Sequence, residues 1–180
     1  MRKADFLLMV LVLLIAGPGA WAQDSAPAGM KETADFVAQT QRDAQRGEIA
    51  LAPVRSTSEL ASYLQAHKTS PFDALSARSR KLFVESLVFT DQGLGSYRYR
   101  ELEAELSPRQ AFELLSLFGA QKTVGYLQFS NGSAKERAAV AKLAPIFFDD
   151  HKGYRCIPPA TCVLASDHIC IGANCGMYPP

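Results

Sequence analysis

All four cysteines of this 180-residue chain, Cys156, Cys162, Cys170 and Cys175, fall near its C-terminus, and the long stretch before them contains none. Paired, they clasp a turn-rich tail, with Pro158-Pro159, Gly172 and Gly176 among them, onto a body that must hold itself together without covalent help. Four cysteines admit three pairings, and spacing does not choose among them. Nearest-neighbour bridges would close two small loops, and crossed bridges would make a tighter knot. Each bridge is worth roughly 2–4 kcal/mol in the loop-entropy picture, less where a short loop is strained.

The opposite end says where such bonds would form. Arg2 and Lys3 precede an apolar run from Phe6 to Ala16, which Gly17-Pro18 break before Ala20-Trp21-Ala22. That is the three-part pattern of a secretory signal cleaved after Ala22, and its apolar run is about half the roughly 20 residues a membrane span needs. The expected mature chain begins at Gln23, lacks a membrane span and works in the periplasm or outside the cell. Cleavage would remove Arg2, Lys3 and Asp5, taking 19 basic residues to 17 and 18 acidic residues to 17. A neutral protein has no field to attract phosphate backbones, so nucleic acid is not an expected partner.

Residues 23–30, rich in Ala, Pro, Ser and Gly, read as a flexible linker. Residues 31–150 read as one helical domain. Lys31 to Arg46 forms a first helix with Ala34, Val37 and Ala44 on one face and Gly47 as its stop. Ser56 or Thr57 caps a short second helix that ends near His67. Ser76 caps a third, in which Leu82, Phe83, Leu87 and Val88 share a face. Ser107, Pro108 and Gln110 spell a capping box with proline at the first helical position, opening the stripe of Phe112, Leu115 and Phe118 that ends at Gly119. Leu75 to Arg78 and Leu106 to Arg109 repeat Leu-Ser-x-Arg at the two helix starts. Ala134 to Leu143 makes a further helix before Pro145. The expected fold is mainly α, with room for a short two-stranded β element from Tyr97–Arg100 and Val124–Phe129. Residues 151–180 are expected as a disulfide-bonded loop region packed on the same domain.

Enzymatic signatures are missing: the chain has no H-E-x-x-H, G-x-S-x-G, phosphate-binding Gly loop or C-x-x-C. No catalytic or metal-ligating residue is assigned and no cofactor is expected. His151 and His168 near the cysteines suggest a zinc set, but the spacings match no zinc knuckle. Asp149-Asp150-His151 is the compact acid/base group, and Glu101, Glu103 and Glu105 read as a solvated face. Asn131-Gly132-Ser133 has the form of a glycosylation acceptor.

The candidate binding residues are Tyr97, Arg98, Tyr99 and Arg100, because tyrosine and arginine dominate contact hot spots, with Met177 to Pro180 as a second contact. The expected function is a non-enzymatic protein-binding module of the bacterial envelope, an inhibitor, immunity-type protein or assembly factor, whose partner is another exported protein. The alternative is a small exported hydrolase of cell-wall or polysaccharide substrates, using Asp149, Asp150 or His151 with a distant glutamate.

Overall fold

A computed structural model describes residues 28–143, 150–159 and 161–176. Residues 1–27, which include the expected signal and most of the expected linker, lie outside them, as do Asp149 and Met177 to Pro180. The described chain is helix-rich and carries a four-stranded antiparallel sheet in the order β1-β2-β4-β3. The sheet is larger than the two-stranded element expected, and half of it comes from the cysteine-rich tail.

Helix α1 (Ala28–Ala50) runs straight through Gly47. The linker's last residues therefore belong to it. Its inner face is Ala34, Val37, Ala38, Gln41, Gln45, Glu48 and Ile49, while Ala44 is exposed. Helix α2 (Thr57–Ala66) starts where Ser56 accepts from the Glu59 N–H, and α3 (Ala77–Ser86) where Ser76 accepts from the Ser79 N–H. Leu87 ends α3 and Val88 already belongs to β1 (Val88–Thr90), so the apolar run attributed to one helix crosses a helix–strand boundary. Strand β2 (Gly93–Arg98) leads into the short α4 (Arg100–Glu105). Helix α5 (Pro108–Ser116) has the Ser107–Gln110 capping box in full. The box satisfies two backbone N–H groups, and its loss costs about 1 kcal/mol. Phe112 sits at the rim of the stripe and is partly exposed; Ala111, Leu114, Leu115 and Phe118 are the buried members.

Val124–Phe129 is not a strand. Gln121–Tyr126 forms a 3-10 helix that buries Thr123 and Val124, and the partners of β2 are β1 and β4. A short apolar run carries no period long enough to separate a strand from a buried helical turn. Helix α6 (Ala134–Ala141) follows, capped by Ser133 and Glu136. The tail then forms β3 (Asp150–Ile157), β4 (Thr161–Ile171) and a single turn of helix, α7 (Gly172–Cys175).

The sheet separates two cores. Ile169 and Ile171 enter the helical core beside Tyr97, Leu94, Phe83, Leu102 and Phe118, all essentially without exposure. Cys170, between them in sequence, points the other way into a small sulfur cluster with Cys156 and Cys175. Gly95 lies beneath that cluster, where a side-chain carbon would come within 3.1 Å of Cys156 Sγ.

Candidate functional site

The disulfides pair Cys156 with Cys175 and Cys162 with Cys170, the nested one of the three connectivities. Cys156–Cys175 fastens α7 to β3. Cys162–Cys170 lies along β4 itself and closes an irregularity in the ladder. Tyr154 pairs with Leu164 and Lys152 with Ile169, so Ala165 to His168 bulge out opposite the single residue Gly153. Asp167 within this bulge has φ of 65°, the left-handed region that Asp tolerates better than most residues.

The bulge meets the Tyr97–Arg100 segment, so the structure brings together two features that are distant in sequence. Arg98 pairs with His168 across the β2–β4 ladder. The Tyr99 N–H donates to the Asp167 carbonyl at 2.8 Å, and Arg100 Nη1 lies 3.4 Å from Asp167 Oδ2. The four residues themselves divide. Tyr97 has no exposed surface and belongs to the core, where its ring meets Phe83 edge-on, so it offers nothing to a partner. Arg98 is half-buried, 3.3 Å from the buried Glu101 carboxylate. Tyr99 is half-buried under Lys152 Nζ, which stands 4.5 Å from its ring centre, and burial raises its phenol pKa. Arg100 is exposed, with 67% of its side chain accessible.

Beyond the bulge, β3 and β4 continue as a two-stranded ribbon. Strand β4 pairs with β2 only from His168 to Cys170, and β3 is an edge strand of the sheet. The ribbon carries Ile157, exposed Pro158 and Pro159, Arg155, and Leu164 at 80% exposure. The ribbon is hidden in the sequence because the bulge interrupts alternation. The β-branched Val163, Ile169 and Ile171 were the signal available.

Among the described residues, the proposed acid/base group does not come together. Asp150 and His151 are successive strand residues and point to opposite faces. Asp150 is buried opposite Ile171, with Gln45 Nε2 at 3.4 and 3.5 Å from its two oxygens. His151 lies opposite Cys170, its ring edge-on to Tyr154, and its Nε2 finds no hydrogen-bond partner among the described residues. Asp149 is outside them. The three glutamates are clasps rather than a solvated face. Glu101 holds Arg98; Glu103 accepts from Lys152 Nζ at 3.0 Å and from the Gln128 N–H at 2.8 Å; Glu105 accepts from Ser76 and Ser79. Glu101 is buried, and Glu103 and Glu105 are half-buried.

Asn131 spends both amide hydrogens on the Ala104 and Glu105 carbonyls at the end of α4, so its nitrogen serves as a helix cap in the folded chain. The thiolates a zinc site would need are engaged in disulfides, and His168 Nδ1 contacts the Ser166 carbonyl at 2.8 Å. Two adjoining clefts share Ser56, Thr90, Asp91, Gln92 and Asn174. They hold no compact acid/base or ligand set: Thr90 and Asn174 bond to each other and to β2, and Glu59 is held below its ordinary pKa by the Arg55 N–H. No helix among the described residues is long and apolar enough to cross a membrane. Comparison with family models, curated proteins and solved structures finds no match to this chain.

Proposed function

We propose that this chain is an exported, non-enzymatic binding protein whose contact element is the β3–β4 ribbon together with Arg100, and whose partner is another exported or envelope protein. One observation carries the reading: an exposed strand pair, bearing Leu164 and Ile157, is held rigid by two disulfides and by the Asp167–Arg100 ion pair. Rigidity established before binding lowers the entropy lost on association. Open strand edges offer backbone hydrogen bonds, and exposed apolar side chains beside an arginine supply anchors. The disulfides themselves suit an oxidising compartment.

Affinity capture from an envelope extract of the host tests the proposal with four chains: wild type, Leu164→Asp, Arg100→Ala and Phe36→Ser. Phe36 is 71% exposed on α1, apart from the ribbon in sequence and element, and serves as the control. The expected result is one protein retained by wild type and by the Phe36 variant but lost from the other two. Equal retention by all four, or no retained protein, counts against it.

A further inference from the structure

We infer that the four cysteines form one thiol–disulfide exchange site, entered at Cys162, through which a small external thiol moves the chain between two fully oxidised pairings. The inference concerns the sulfur chemistry and stands whether or not the ribbon binds a partner.

Three observations converge. The sulfurs of Cys156, Cys170 and Cys175 all lie within 4.8 Å of one another, although Cys170 is bonded to neither of the others. These three residues are buried, at 1%, 0% and 0% exposure, and Cys162 alone is partly accessible. Cys156 and Cys162 are direct partners in the β3–β4 ladder. Residues directly opposite in an antiparallel pair lie about 4.5–5.5 Å apart at Cα, within the span a disulfide accepts. The present bridges are therefore not the only ones this backbone places in reach.

The exchange balances without an oxidant or a reductant. An external thiolate attacks Cys162 Sγ; the Cys162–Cys170 bond breaks and Cys170 leaves as a thiolate. That thiolate attacks Cys175 Sγ in the adjacent bridge, forming Cys170–Cys175 and releasing Cys156 as a thiolate. Cys156 then attacks Cys162 Sγ in the mixed disulfide, forming Cys156–Cys162 and expelling the external thiolate unchanged. Two disulfides exist before and after, and no electrons are gained or lost. Burial keeps external thiols away from the inner three sulfurs, so access orders the steps. In the product the bulge from Ala165 to His168 loses its covalent closure and the ribbon acquires a rung across its strands.

Asp167 makes the two pairings separable. Both present bridges span it, whereas both product bridges lie to one side. The oxidised full chain is incubated anaerobically with reduced glutathione, its free thiols are blocked with iodoacetamide, and it is denatured and cut before aspartate without reduction. Fragments 150–166 and 167–180 are expected to stay joined at time zero. They should then separate with time, each unlabelled and two hydrogens lighter than its reduced form, only where glutathione was present. Fragments that remain joined, separate only with label attached, or separate before thiol is added overturn the inference. In Cys162→Ser the free thiol is expected on Cys156 as well as Cys170; label confined to Cys170 also overturns it. The wild-type assay decides the matter if that variant does not fold.

Discussion

The Tyr97 hydroxyl donates to Thr123 Oγ1 at 2.5 Å, and Thr123 donates its own hydrogen to the Ala120 carbonyl at 2.7 Å. This relay ties the central strand β2 to the 3-10 helix before α6, with both residues buried. It also fixes the direction of the first bond, since the threonine has one hydrogen to give.

Tyr97→Phe is expected to cost about 1 kcal/mol, because Thr123 keeps its bond to Ala120, whereas Tyr97→Ala should cost about 3–5 kcal/mol through the cavity it leaves. Urea midpoints of the two variants check the ordering. Burial pushes the Tyr97 pKa well above its ordinary value. The raised value means stability is fully present below about pH 10, where the unfolded phenol begins to ionise, and declines as pH climbs toward the folded value. Tyr97→Phe should flatten that alkaline decline.

Glu105 bridges α4 to the start of α3, accepting from Ser79 Oγ at 2.5 Å, Ser76 N–H at 2.7 Å and Ser76 Oγ at 2.9 Å. The Ser79 hydroxyl first, and the Ser76 N–H after it, hold its pKa below the usual carboxylate range. A lowered pKa stabilises above the unfolded value, about 4.3, and that contribution disappears as pH falls through the folded value. Glu105→Gln should lower the urea midpoint at pH 7 and show a shallower acid dependence than wild type. Equal acid slopes for the two chains would show that the clasp carries no charge-dependent stability.

Gly119 has φ of +68°, and a side-chain carbon there would lie 2.6 Å from Ile49 Cα and 2.9 Å from Ile49 N. Gly119→Ala thus forces a left-handed alanine, costing about 1–3 kcal/mol, and also pushes the end of α1 away. Hydrogen exchange should report loss of protection concentrated in α1. Its other contacts with the body include Glu48 with Lys122 and Gln45 with Asp150.

The parts of this fold that depend on neighbours in sequence were readable. Ser56, Ser76 and Ser107 announce helix starts because a cap needs only the next three residues, and each caps as expected. The parts that depend on distant partners were not. Tyr97 and Tyr99 look alike in sequence, but pairing with Ile169 takes Tyr97 into the core, while Tyr99 ends up beneath Lys152. The tail looked like loop because its prolines, glycines and cysteines mask β4, whose alternation is broken by the bulge. The nested pairing joins Cys156 to Cys175 across 19 positions, and only the folded sheet selects it. At the candidate site, the exposure of Arg100 was readable from its charge; its tie to Asp167, 67 positions away, was not.

The order of the strands also sets a timetable. Because β2 lies between β1 and β4, the last of the described strands in chain order is the one that completes the middle of the sheet. Ile169 and Ile171 fill the helical core from that strand. A ribosome delivering the chain from its N-terminus therefore releases residues 98–160 before β4 can cover Tyr97 on its open side. Closing the core has to wait for β4, and a message cut short after α6 would yield a body with its apolar centre open to water.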